Sequence, residues 1–344
     1  SPEMIFAIQY DEESGYCDNI EQALGARDTY GGWTEVKPAA DFVDYYENAD
    51  GTKFDWSKVP GLEDWNNLTA KQRAVFFCRD GLNSNKALAS QKSQAIKICG
   101  SDVFNRYYLD NGNEARIKAA YDKRDPRLKM AVITPYSTYY GGISGNAYTF
   151  TLRWPYRADT KEPRDIRTDT NSMFYYLWRK YVPEGLENTI RWVYEQDNIL
   201  CRYAEILLRR AECENELGNT EEAVRLVNLV RERAGHILLN TNEHTTVTGQ
   251  DDMRERIRNE FYWELGGEDS MYFNELRWGV WLDRKFRDRS SGQYGEMNTN
   301  GLMQMWGTKT YTWYSLGDYV EAWPIPAKER EMNPNLTQNP GWND

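Results

Sequence analysis

The chain has 344 residues, with 42 basic and 53 acidic side chains and a net charge of -11. That length suggests one large domain or two ordinary ones, with enough core to fold without metals or disulfides. An acidic surface repels phosphate backbones and anionic headgroups, which disfavours general nucleic-acid binding and adhesion to lipid. No stretch approaches the roughly 18 apolar residues of a membrane span. The 13 Trp and 24 Tyr outnumber the 11 Phe. Indole and phenol rings combine an apolar face with a polar edge, which suits half-wet surfaces as well as cores.

Residues 1–150 read as irregular, with strand-like runs at Met4 to Gln9, Met130 to Thr134 and Tyr148 to Leu152. Helical patches are expected near Pro38 to Asn48 and Glu114 to Tyr121. Met173 to Tyr181 reads as a strand or a helix end. From Asn198 the pattern becomes helical. Ile199 to Leu217 predicts a helix with Ile199, Tyr203, Ile206, Leu207 and Ala211 on one stripe, stopped by Gly218. Thr220 is the expected N-cap of a second helix, with Glu221 and Glu222 in its first turn and Gly235 at its end. Ala211, Gly218 and Ala223 stand at the small-residue spacing of a tetratricopeptide repeat. Met253, Ile257, Phe261 and Leu265 predict a third helix, and a fourth, capped by Asp269, runs through Tyr272, Phe273, Leu276 and Trp281. Residues 288–301 read as loop. Prolines bracketed by Trp323 and Trp342 close the chain, and both rings are expected to pack as lids over the helices.

The five cysteines (Cys17, Cys78, Cys99, Cys201, Cys213) show no CxxC and no zinc spacing. Cys201 and Cys213 fall on one predicted helix, about 18 Å apart along its axis, too far to pair. Cys78 with Cys99 is an open pairing. The two histidines, His236 and His244, border a polar loop. No Ser/His/Asp triad, phosphate-binding glycine loop, metal site or cofactor motif can be argued.

The chain resembles the C-terminal portion of the SusD/RagB family of outer-membrane nutrient-binding lipoproteins. The resemblance rests on Met4 to Tyr10 as an opening strand, on Arg124-Asp125-Pro126-Arg127-Leu128, and on Arg202 to Leu208 with Ala211-Glu212 and Glu216 to Thr220. It continues through Val230 to Gly235, Ile257 to Glu260, Leu276-Arg277-Trp278, Pro324-Ile325-Pro326 and Gln338 to Trp342. It implies a mainly α fold, SusD-like, of tetratricopeptide-like helical hairpins (an α/α superhelix) with long irregular loops and a few short strands. Three parts follow: a loop-rich ligand-binding part (1–197), the hairpins (198–287) and a loop with a closing segment (288–344). The family's N-terminal part and its lipid-anchored cysteine are expected to lie outside this sequence, so contact with membrane would run only through that anchor. Phe261-Tyr262-Trp263 and Glu268-Asp269-Ser270 depart from the family pattern.

The signature residues read as scaffold. Pro126 biases Asp125 to an extended conformation, Arg127 is placed to meet a carboxylate, and Glu205 and Glu212 to meet arginines or helix ends. Function is expected in the irregular stretches. A sugar stacks its C–H face on an aromatic ring while amides, carboxylates and hydroxyls bond its edge. The candidate ligand contacts are Tyr30, Trp33, Trp56, Trp65, Asn66, Tyr139, Tyr140 and Trp154, the tyrosines of Tyr136 to Gly142 being read as one loop. The resemblance implies non-catalytic binding of an oligosaccharide or polysaccharide (a peptide less readily) at the outer face of the outer membrane. Delivery would be to a SusC-like TonB-dependent transporter. Two alternatives stand beside it: a glycoside hydrolase using loop carboxylates such as Asp11, Glu12, Asp64 and Asp159, and a helical-repeat adaptor gripping a protein.

Overall fold

The computed structural model describes residues 3–18, 20–26, 32–143, 146–158, 161–168, 174–185, 193–268, 270–282, 304–307 and 318–342. In the first part the elements are β1 (Met4–Ile8), α1 (Ile20–Leu24), α2 (Ala40–Asp44), α3 (Ala70–Arg73), α4 (Ala89–Cys99), α5 (Ser101–Tyr107), α6 (Asn113–Asp122) and α7 (Pro126–Ala131). Short strands follow: β2 (Val132–Ile133), β3 (Thr138–Ile143), β4 (Asn146–Thr151), β5 (Arg164–Asp165), β6 (Leu177–Trp178) and β7 (Asn198–Arg202). Then come α8 (Tyr203–Glu216), α9 (Thr220–Ala234), α10 (Gln250–Leu265), α11 (Ser270–Arg277) and α12 (Ala327–Met332). The fold is helix-rich with few short strands, as expected. Among the described residues no helix is long and apolar enough to cross a membrane. The expected loop over 288–301 and the expected cap Asp269 lie outside the described residues.

Helices α8 and α9 form the antiparallel hairpin that the sequence predicts. Gly235 ends α9 at φ +70°, and Gly218 turns the connection at φ +87°. Both are left-handed conformations that glycine adopts without steric cost. Asn219 flanks α9 as its N-cap without a side-chain capping bond, its Nδ2 donating instead to Glu214 Oε2, while Thr220 Oγ1 donates to Asn215 Oδ1. The register of α8 differs from the expected stripe. Its core face is Ala204, Leu208, Ala211 and Asn215, and Tyr203 and Ile206 face solvent. The helix also begins at Tyr203 rather than Ile199, because residues 198–202 pair antiparallel with β1. That strand is reinforced where Glu3 Oε1 accepts from Ala204 N and Glu3 O from Tyr203 N. Small residues bring α8 and α9 close, and Met253, Ile257, Phe261 and Leu265 of α10 fill the groove between them, each at most 1% exposed.

A second apolar cluster gathers residues between 24 and 182 with Trp263, Met305 and Trp306. Helix α4 lies at its edge and was invisible in the sequence, since it buries only Ala95 and Cys99 and carries no apolar stripe. The stretch Tyr136 to Gly142, read as a loop, is largely strand. β3 pairs with β4 in register Tyr139↔Phe150 and Tyr140↔Thr149. All five thiols are free, Cys78 and Cys99 included, and Cys201 lies on β7 rather than on the helix of Cys213.

Between the two clusters runs a buried network of ion pairs. Asp125 accepts from Arg127 N at the start of α7, with Pro126 as the first helical residue. Arg127 reaches Asp125 (2.7 Å), Glu260 (2.5 Å) and Glu264 (3.2 Å). Arg231 joins Glu260 to Glu47 at 3.2 and 2.7 Å. Arg202 and Arg233 also pair with Glu264, and Arg202 continues to Glu268 (2.7 Å) and Glu3 (3.1 Å). The buried His236 ring lies beside Glu47 at 3.1 Å. The two expected helical carboxylate pairs also form: Glu205 with Arg209, and Glu212 with Arg277. Trp323 stacks on Tyr272 of α11 at 6.2 Å and donates to its hydroxyl, while Trp342 donates to Ala322 O within its own segment.

This network predicts an acid limit. Burial alone would raise the Glu264 carboxyl, but the guanidiniums of Arg202, Arg127 and Arg233 hold it down at about 2, against an ordinary 4.5. A depressed carboxylate stabilises the fold above its unfolded pKa, and that stability drains as pH falls from 4.5 toward 2. The loss is on the order of 3 kcal/mol for this group. Asp125 adds in the same direction. Asp44 behaves oppositely: burial raises it to about 7, so its effect is exhausted once the pH lies below its ordinary 3.8. Urea unfolding at pH 7, 4 and 3 is expected to show the midpoint falling steeply below pH 4; a flat profile there would refute the assignment.

Candidate functional site

The segment 48–67 is built from short capped turns. Asp50 accepts from Thr52 N (3.0 Å) and Oγ1 (2.6 Å), and Asp55 accepts from Ser57 N (2.8 Å) and Oγ (2.7 Å), starting a single 3₁₀ turn at Trp56–Lys58. Thr69 and Gln72 cap α3 reciprocally. These caps hold an otherwise irregular backbone against α6. Gly61, at φ +82°, lies under Arg116: a Cβ there would meet the arginine Cδ at 3.1 Å.

Two of the expected sugar-stacking rings form the inside of this segment. Trp56 and Trp65 stack on each other, centroids 4.8 Å apart and 20° from parallel. Phe54 meets Trp56 edge-on at 4.9 Å, and Trp56 Nε1 donates to Asp44 Oδ2 at 2.9 Å. The remaining surfaces of Trp65 are taken by Phe76 at 6.0 Å and by the Arg73 guanidinium at 4.9 Å. Trp154 is 2% exposed, packed at 4.9 Å on Trp306, and Tyr139 is 1% exposed with its hydroxyl donating to Pro183 O. The expectation that these four rings project toward a ligand is therefore corrected. Each large ring removes about 150–250 Å² from water when buried, and the core supplied partners for them. Trp33 is half-buried, and Asn66 and Tyr140 are exposed. Tyr140 points away from its neighbour Tyr139 because successive strand residues face opposite sides. Tyr30 lies outside the described residues.

The outer side of the same segment forms two concavities. One is a groove of about 1000 Å³ whose apolar walls include Phe54, Val59, Pro60, Leu109, Ala119 and Ala120. Lys58, Lys123, Arg116 and the carboxylates Asp50, Asp55 and Asp122 also line it. The other is a polar cleft of about 420 Å³ between Asp64, Asn67, Gln72, Asp102, Arg106 and Tyr107. Arg116 bridges the ground between them, donating to Gly61 O (3.2 Å) and Tyr107 O (3.4 Å). In the cleft the half-buried Tyr107 donates to Asp64 Oδ2 at 2.8 Å, and Asn67 Nδ2 donates to Asp64 Oδ1 at 3.1 Å. These bonds, Tyr107 first, hold Asp64 below the usual carboxylate range. The exposed Asn66 adjoins Asn67 on the same turn. Thus one of the expected contacts, Asn66, sits beside the cleft. Lys58, Tyr107, Arg116 and Lys123 were missed, because residues from 58 and from 107–123 meet only through the folding of α6 onto the turns. Among the described residues no cluster of His, Cys, Asp or Glu could hold a metal ion.

Residues 2–342 match the family model described as the SusD family. A SusD-like protein from Formosa agariphila is 31% identical over 159 residues, covering 46% of this chain and 27% of the relative. The crystal structure of a SusD-like protein from Bacteroides fragilis superposes with a TM-score of 0.59 at 21% identity, covering 99% of this chain and 54% of that one. The chain therefore spans about half the length of that solved relative, which it resembles in fold. With the family model matched from end to end, the chain belongs to the SusD family.

Proposed function

We propose that the protein binds an oligosaccharide without cleaving it, on the face built by segments 48–67 and 102–123. From there it passes the sugar to a SusC-like TonB-dependent transporter at the outer surface of the outer membrane. The observation that carries this reading is the family match over residues 2–342. The chemistry of the face supports it: a phenol ring, two neighbouring amides and an ionised carboxylate stand near a partly apolar groove of about 1000 Å³. Of the carboxylates considered for hydrolysis, Asp159 lies outside the described residues and two are committed elsewhere. Asp11 accepts from Glu13 N and Ser14 N of its own turn, and Asp64 is held ionised, the reverse of what a general acid needs.

Affinity electrophoresis against a panel of polysaccharides tests the reading. At least one is expected to retard the protein with no new reducing ends formed. Tyr107→Ala is expected to weaken that retention by about 3- to 10-fold, the worth of one stacking ring. Turnover of the polysaccharide, or retention unchanged in the variant, would overturn the assignment.

A further inference from the structure

Behind the groove lies a buried set of polar groups that do not complete one another's hydrogen bonds. Arg124 is 2% exposed. Its Nε donates to Tyr46 O (3.1 Å), and its Nη2 donates to Val43 O and Tyr46 O (both 2.7 Å). Those bonds fix the guanidinium at the end of α2, with its face over Phe54, 3.6 Å from the ring centroid. Nη1 is left over, buried and without a hydrogen-bond partner among the described residues. Asp44 belongs to the same turn. Its Oδ2 accepts from Trp56 Nε1 at 2.9 Å, while its Oδ1 is also buried and without a partner among the described residues. The two charges act on each other, yet no hydrogen bond joins Oδ1 to Nη1. Tyr121 packs edge-on against Trp56 at 5.7 Å, and its hydroxyl lies 2.6 Å from that of Tyr176. These two hydroxyls own two protons, and the bond between them uses one. The second proton is therefore available to a further acceptor. Both hydroxyls also feel the charges of Asp44 and Arg124.

We propose that one water molecule is bound here as a structural ligand, donating to Asp44 Oδ1 and accepting from Arg124 Nη1 and from one hydroxyl of the Tyr121–Tyr176 pair. One open acceptor and two open donors match the bonding capacity of a single water, and buried waters typically make about three such bonds. An ion fits worse. The carboxylate repels an anion and the guanidinium repels a cation, whereas a water dipole serves both. Each of the three groups has lost its bulk solvent on folding, and a buried donor or acceptor left unpaired bears the full desolvation cost. The water joins α2 to the end of α6 behind Phe54, a residue of the groove wall. The site stands whether or not the groove binds sugar.

A high-resolution crystal structure of the full chain tests this, grown at pH 8, above the value of about 7 to which burial raises the Asp44 acid, and with bromide as the only halide. A single peak is expected within about 3.2 Å of Asp44 Oδ1, Arg124 Nη1 and one tyrosine oxygen, without anomalous signal. A bromide peak at that place would overturn the water assignment, and so would Asp44 and Arg124 in direct contact with no peak between them. Oxygen-17 magnetic relaxation dispersion gives an independent count of long-lived buried waters in solution. Asp44→Leu removes the acceptor and puts apolar volume in its place, so it is expected to hold one such water fewer than the unmodified protein. An unchanged count in a folded Asp44→Leu variant would overturn the site. Should that variant fail to fold, the density of the unmodified protein still decides.

Discussion

Arg127→Met is expected to destabilise the protein by about 3–5 kcal/mol, enough to unfold a marginal domain outright. The side chain is 8% exposed and faces three carboxylates, those of Asp125, Glu260 and Glu264. Methionine fills a similar volume but leaves Asp125 with no arginine or lysine within ion-pair reach among the described residues, only the His236 ring at 3.7 Å. Glu260 would keep Arg231 alone, and Glu264 would keep Arg202 and Arg233. Breaking a buried pair from one side exposes the desolvation cost of what remains, which exceeds the net worth of the pair itself. Arg127→Lys should be intermediate, since it restores charge but not the two-pronged donor geometry. Urea unfolding of the three proteins checks this. A loss under about 1 kcal/mol for the methionine variant would show that the network contributes little. The network also joins distant parts of the chain: Glu3 ties the opening strand to Arg202, Glu47 ties the stretch after α2 to Arg231 of α9, and Arg127 ties α7 to Glu260 of α10.

Trp56→Ala is expected to cost about 3–5 kcal/mol by opening a cavity behind the groove. Trp56 is 5% exposed and touches Phe54, Trp65, Phe77 and Tyr121. Its indole N–H also satisfies Asp44, whose carboxyl is raised to about 7 by burial. Trp56→Phe keeps most of the packing and loses that hydrogen bond, so about 1 kcal/mol is expected. The contrast separates two roles. A ring that contacted sugar would, on truncation, lower affinity and spare stability. A ring that supports the groove from behind lowers the unfolding midpoint first, and affinity falls only as Phe54 and Val59 shift. Thermal unfolding beside ligand titration gives both numbers from one preparation.

The hairpin helices were legible because their evidence is local. Gly218 and Gly235 mark stops, Ala211 and Ala223 mark close approach, and Met253, Ile257, Phe261 and Leu265 recur at a helical period that burial confirms. The Asp125-Pro126-Arg127 run announced an anchored arginine for the same reason: proline and aspartate shape a helix start by themselves. Residues 198–202 misled because their apolar run fits a helix as well as a strand, and the strand wins only through pairing with residues 4–8 at the other end of the chain.

The family, the helix-rich class and the abundance of rings are all written in the linear order of residues. Which way the rings face depends on what folds over them. Trp56, Trp65, Tyr139 and Trp154 stand in irregular stretches that look exposed along the chain, yet each is buried against residues that fold over it. Lys58 and Lys123 stand far apart along the chain until α6 folds onto the turns and places both beside one groove. Burial and charge balance are sums over neighbours in space, and a linear pattern does not list those neighbours.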